Sequence, residues 1–295
     1  MSSDMKELIL SIVKIGLPLS VVVGMFAQGL SIVPSQLRLF RERPLLMLRS
    51  LVAVLFLVPI AVLAIILLLK PSPAVAVGLA ILVACPAAPM MIVKIAKKGG
   101  SPAYIVSLHL YLALLVLLTV PATLYLLSEA LGFQVEVSVS AVARVVGMTV
   151  LLPVGLGILI RSFFPKAADT IGPTLAKVGG VALLLLIIFV AMMTYGLLLK
   201  MDLWSYLVMA VVVTVSIAIG HWLAPRDAEE RTTLAMECAA RHPGLAMTIA
   251  ALNFSPHKAL PVLVPYLVVF MVVTTIYLQW RKRRSADGEV SQAIK

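Results

Sequence analysis

Between residues 8 and 279 the chain is a succession of apolar runs separated by short polar or basic segments. A helical run of about 20 apolar residues crosses a ~30 Å hydrocarbon layer. Nine runs of that length are read, at about 8–33, 45–69, 74–96, 103–127, 137–160, 178–199, 203–223, 232–254 and 259–279. In lipid every backbone polar group must be satisfied internally, so runs of this kind fold as helices. Composition agrees: 62% of the residues are hydrophobic and 13% charged, against roughly half and a quarter in soluble domains. A soluble globular domain and a disordered chain are both excluded. The expected fold class is all-α, a single polytopic membrane domain over residues 1–295.

The net charge of +11 comes from 24 Lys and Arg against 13 Asp and Glu. The basic residues sit between the apolar runs, so they report topology and an acidic lipid surface rather than nucleic acid. With nine spans the termini lie on opposite sides. Placing the C-terminus inside puts Arg38, Arg41, Arg43, Lys97, Lys98, Arg161, Lys166, Lys177, Arg226, Arg231 and the basic stretch 281–284 in the cytoplasm. The outside keeps little beyond Lys6, Lys70, Lys200 and Lys258. The expected orientation is N-terminus out and C-terminus in, in the cytoplasmic membrane, with residues 280–295 as a basic cytoplasmic tail. No cleavable signal peptide stands out before the first run. The two cysteines, Cys85 and Cys238, lie inside apolar segments and do not indicate a disulfide framework.

The third and eighth runs are interrupted by prolines. The third holds Pro86 and Pro89, and the eighth holds Pro243. A proline inside a helix removes a hydrogen bond and clashes with the preceding turn, so both helices are expected to break near mid-membrane. The stretch Cys85-Pro86-Ala87-Ala88-Pro89 resembles 238–243, and Ser101-Pro102 matches Ser255-Pro256 at the same offset. Spans three and eight run in opposite directions, as an inverted repeat requires. The repeats are read as 8–127, lacking its opening helix, and 137–279. Paired broken helices offer free amides, free carbonyls and dipole ends to ions and anions.

Glu237 is the only acidic residue deep in a span, where a charge costs roughly 2.5–3.5 kcal/mol on insertion scales. Arg241 follows four residues later and His242 directly after it, so a shared helix face and a Glu237–Arg241 pair are expected. That pair reads either as a closed structural ion pair or as the lining of a polar cavity. His109, in span four, reads as a packed neutral histidine or a site residue. Lys94, near the inner end of span three, reads as a snorkelling cation or an anion ligand. There is no nucleotide loop, metalloprotease motif or nucleophile elbow, and no enzymatic reading is favoured. No cofactor and no metal centre are expected.

The segments Gly29-Leu30, Ala76-Val77-Gly78-Leu79 leading into Cys85-Pro86-Ala87-Ala88, Arg231-Thr232-Thr233-Leu234 with Glu237, Gly244-Leu245-Ala246 and Asn253-Phe254 together resemble the bile acid:sodium symporter family. The similarity covers roughly residues 17–284. It implies a panel of spans one, five and six, and a core built on two crossed broken helices. It also implies sodium-coupled uptake of organic anions by movement of core against panel. The family's polar residues are largely replaced here: its Ser-Asn pair falls on Met91-Ile92, a serine on Ile105, a threonine on His109, a glutamine on Val54, and its Gln-Asn pair on Arg241-His242. The glutamate is kept as Glu237. The sodium sites are therefore expected to be degraded, with Arg241 standing in for one cation, and transport either coupled to protons through Glu237 or His242, a proton suiting better than sodium, or uncoupled.

The functional expectation is a secondary transporter of a small organic anion. Its substrate or ion residues would be Glu237, Arg241, His242, His109 and Lys94, around the breaks at Pro86, Pro89 and Pro243. The rival readings are a receptor that keeps the fold without transport, and a metalloid efflux carrier using Cys85 and Cys238.

Overall fold

The structure, a computed structural model, describes residues 3–33, 38–86, 90–132, 138–198, 201–225, 227–253 and 256–293. In chain order its α-helices are α1 (Ser3–Ser31), α2 (Arg38–Glu42), α3 (Pro44–Val52), α4 (Val58–Leu69), α5 (Pro73–Ala84), α6 (Met90–Lys97) and α7 (Pro102–Leu131). There follow α8 (Val139–Val146), α9 (Leu152–Phe163), α10 (Pro165–Leu198), α11 (Leu203–Leu223), α12 (Ala228–Ala239), α13 (Pro243–Asn253) and α14 (Pro256–Ala293). Two π-helical turns, Ala53–Leu57 and Gly147–Leu151, join α3 to α4 and α8 to α9.

Proline sets much of this punctuation. Pro44, Pro73, Pro102, Pro165, Pro243 and Pro256 each open a helix, where a missing N–H costs nothing and the fixed φ is already helical. Pro59 and Pro153 instead fall inside spans. Each follows a π turn, whose extra residue relieves the clash with the carbonyl one turn back.

Among the described residues, seven segments are long and apolar enough to cross a membrane: Ser11–Ser31, Pro44–Leu69, Pro102–Leu131, Val139–Phe163, Pro165–Met193, Leu203–Leu223 and Val262–Arg283. They coincide with seven of the nine runs in the sequence. The third and eighth runs are not continuous crossings. Each is divided into two short helices, α5 and α6 in one, α12 and α13 in the other. Two further boundaries differ from expectation. The sixth span starts at Pro165, well before residue 178, and α14 continues through the expected polar tail to Ala293. In both places nothing stops the helix: a polar stretch keeps its backbone bonds as well as an apolar one does.

α1 packs along α9 and α10. The α1–α9 crossing is backbone to backbone: a Cβ on Gly29 would strike the Val154 carbonyl, and one on Gly157 would lie 2.5 Å from the Phe26 carbonyl. A second group forms around α11, which packs on α4, α12 and α14, while α5 packs on α7 and α14. The lipid-facing side of α10 leaves Val181, Leu185 and Met192 more than half exposed.

Several polar ends meet on one face. Arg43 forms an ion pair with Glu230, with a second contact from Nη2 to Oε2 at 3.0 Å. The Ser101 amide donates to Thr233 Oγ1 at 2.8 Å. Arg161 donates to the Leu30 carbonyl at 2.5 Å and pairs with Asp169 at 2.9 Å, and Arg281 donates to the Ala228 carbonyl at 2.8 Å. At the opposite ends of the spans, Trp204 Nε1 donates to the Leu69 carbonyl at 3.0 Å.

The glycine crossing is testable. Gly29→Val inserts three carbons against backbone that cannot yield, and overpacking of this kind costs about 1–3 kcal/mol. We expect a clear fall in the melting temperature of the purified protein in detergent, whereas Gly155→Val, at a glycine with open space, leaves it nearly unchanged.

Candidate functional site

The two helix breaks meet. α5 ends at Ala84, and α12 ends at Ala239 with Ala240 extended at φ −68°, ψ 130°. Pro86 and Arg241 pair as an antiparallel bridge, and the His242 amide donates to the Cys85 carbonyl at 3.0 Å. The last carbonyls of any helix lack intrahelical partners and carry the negative end of its dipole. Here two such ends converge, and Arg241 lies between them. Its guanidinium donates to the Cys238 carbonyl, at the end of α12, and to the Val83 carbonyl, at the end of α5, at 3.5 Å. Tyr266, on α14, faces the same guanidinium. Arg241 is 5% exposed.

This placement corrects the expected Glu237–Arg241 pair. The i to i+4 argument requires a continuous helix through residue 241, but α12 stops at Ala239. The guanidinium turns to the orphan carbonyls, and Glu237 finds another partner. Its Oε1 lies 3.1 Å from Nδ1 of His109, on α7, with the two side chains 0% and 2% exposed. The approach is close enough for an ion pair but is not aligned as a hydrogen bond. Both ring nitrogens and both carboxylate oxygens are left without an aligned partner in the protein.

His242 occupies the N-terminal end of α13. Its carbonyl accepts from the Ala246 amide at 3.0 Å and its Nδ1 accepts from the Leu245 amide at 3.1 Å, an N-cap role. Because Nδ1 is an acceptor, the ring is in the tautomer that carries its proton on Nε2. That Nε2 is buried and without a partner in the protein.

A small cleft opens at this point. Pro86, His109 and His242 line it, with Leu112, Ala113 and Val116 from α7 and Leu245 from α13. The opposite wall is Met25 and Gln28 from α1 and Val150 from the π turn before α9. The cleft therefore lies between the α1–α9 side and the two breaks. It is mostly apolar with a few polar groups, the usual character of a small-molecule site.

Of the residues singled out in the sequence, Pro86, His109 and His242 line the cleft, Glu237 stands behind His109, and Arg241 bridges the breaks. Pro243 opens α13 as its first residue. Pro89 and the side chain of Lys94 lie outside the described residues. The sequence did not single out Gln28, which is 8% exposed in α1. The signal was a lone amide in an apolar span, followed by the Gly29 that brings α9 close. Thr248 was also missed; its Oγ1 is buried without a partner.

The His109–Glu237 contact yields a double-mutant test. Removing one member of a buried pair strands the other and costs about 3–5 kcal/mol. His109→Leu alone is therefore expected to lower detergent stability strongly. The double variant His109→Leu/Glu237→Met is expected to lose less than the sum of the two single losses; strict additivity would mean the two groups do not interact.

The chain matches the family model described as the sodium bile acid symporter family over residues 18–201. The match takes in the first break and His109, and it ends before α11 and the second break. No curated protein matches the chain. The matched segment is more than half of the 295 residues. This multi-pass helical membrane protein thus belongs to the sodium bile acid symporter family.

Proposed function

We propose that the protein is a secondary carrier of a small organic anion that works without the family's two-sodium mechanism. The observation that carries this reading is the Arg241 guanidinium, held against the Cys238 and Val83 carbonyls where the two broken helices meet. Converging helix C-termini attract a cation, and here the cation is covalently part of the chain. Two like unit charges about 4 Å apart repel by about 4 kcal/mol at an effective dielectric of 20, roughly a thousandfold in affinity. A sodium ion beside Arg241 would bear that cost.

The rest of the donor set supports the same reading. Sodium takes several hard oxygen ligands. The family's polar positions hold Val54, Met91, Ile92, Ile105 and His109 here, and Val54 and Ile105 are fully buried among apolar neighbours. These residues do not suit a sodium site.

The wider architecture is proposed as two inverted repeats, 8–127 and 137–279, whose broken helices cross at the site. α1, α9 and α10 form the panel, and the breaks with α7, α11 and α14 form the core. A cleft between the two groups is where their relative movement would open and close access. The N-terminus is placed outside and the C-terminus in the cytoplasm, since the basic ends tied through Arg43, Arg161 and Arg281 share one face.

In proteoliposomes containing the purified protein, counterflow of a labelled organic anion, selected by thermal-shift screening in sodium-free buffer, is expected to proceed equally in choline and in sodium. Uptake that vanishes without sodium and returns on its addition would refute the proposal. Binding without any counterflow would instead identify a receptor. Replacing both Cys85 and Cys238 by serine is expected to leave counterflow unchanged, as a metalloid carrier would not.

A further inference from the structure

A cluster of buried polar atoms borders the cleft. Five buried side-chain atoms lie together without an aligned partner among the described residues: both nitrogens of His109, both carboxylate oxygens of Glu237, and Nε2 of His242. Buried polar groups are nearly always satisfied, and each exception calls for a ligand, an ion or a proton. His109 and His242 both line the cleft, at 2% and 4% exposure. The geometry points to a proton-gated carboxylate site: Nε2–H of His242, joined by Nε2–H of His109 once His109 takes up a proton, holds one small carboxylate in this cleft. The inference rests on the anion-carrier reading and adds its ligand class and its coupling device.

The hydrogen-bond inventory forces the gate. With Nδ1 of His242 held as an acceptor by the Leu245 amide, its Nε2 is a permanent donor. His109 differs. When neutral and donating from Nδ1 toward Glu237, its Nε2 is a bare acceptor that repels an anion. When protonated, both nitrogens donate: Nδ1 stays with Glu237, and Nε2, on the other edge of the ring, becomes available to the ligand. Histidine is the side chain whose ordinary titration falls in the physiological range.

Charge balance gives the same answer. Among the described residues the fixed charges of the site are the Glu237 carboxylate and the Arg241 guanidinium, which cancel. An incoming carboxylate leaves a net buried negative charge, and an ion without a counter-charge is costly in this setting. One proton on His109 restores neutrality. The groups around the pair do not supply an alternative. Tyr104 on the same helix and Cys238 on α12 feel the field of Glu237 and are themselves uncharged groups. His242, which His109 faces across the cleft, is held by its cap. Among the described residues, α1 and the π turn contribute Met25, Gln28 and Val150 to the cleft.

The test uses the full-length protein in detergent and sodium-free buffer. Acetate, butyrate and benzoate are titrated calorimetrically at pH 5.5 and 7.5, with butyramide and benzamide as uncharged counterparts. At least one acid is expected to bind, about tenfold more tightly at pH 5.5. Averaged over this pH interval about half a proton is taken up per anion, read from buffers of different ionisation enthalpy. By reciprocity the anion raises the proton affinity by the same factor. The amides are expected not to compete. In His109→Gln, and independently in His109→Asn, the acid binds at the weaker level at both pH values with no proton uptake. A pH dependence that survives in both variants, or amides that compete equally, would overturn the proposal. Failure of every acid to bind, while the same preparation carries out sodium-independent counterflow of another anion, would overturn this inference alone. Absence of both binding and counterflow would overturn the carrier reading with it.

Discussion

A single guanidinium holds the centre of this molecule together. Breaking two helices in the middle of a membrane exposes carbonyls that lipid cannot satisfy. The structure brings the two breaks together and places Arg241 between them, donating to one carbonyl from each. The backbone bond from His242 to Cys85 and the Pro86–Arg241 bridge complete the junction. Everything in the site is registered from it. It sets where α13 begins, and so where His242 caps it. It also frees Glu237 from the partner four residues ahead and leaves that carboxylate to His109 on α7.

The junction also decides what sort of chemistry the cleft can hold. Two helix C-termini form a site for a positive charge. A carrier that recruits an ion there can couple transport to the ion's gradient. In the proposed carrier the tethered cation cannot be released, so coupling to an ion gradient would need another exchangeable charge. In the proposed gate, the unaligned His109–Glu237 contact is where a proton would change the number of donors without moving a helix.

Most of the helical plan was legible in the residues. Hydropathy placed seven continuous spans because the length of an apolar helix is dictated by the bilayer, whatever its neighbours do. Pro86 and Pro243 marked the breaks because proline's effect is local. The errors were local too. Residues 165–177 and the stretch beyond 280 stay helical although they are polar, because hydropathy reports the solvent and not the backbone. The i to i+4 pairing of Glu237 and Arg241 failed because it assumed a helix through residue 240. Gln28 and Thr248 escaped notice since a single uncharged polar residue in an apolar run carries no signal of which way it faces.

The sequence by itself determined that this chain is a multi-pass helical membrane protein of this family, with two interrupted spans and one deep carboxylate. Those properties depend on composition, spacing and backbone chemistry within one segment. Which groups share the buried site was decided by tertiary structure alone. His109 and Glu237 are far apart in the chain, Arg241 and Val83 further still, and the wall carrying Gln28 comes from α1. No local rule relates such residues, because their contact depends on how whole helices cross and on which buried polar atoms have no nearer partner.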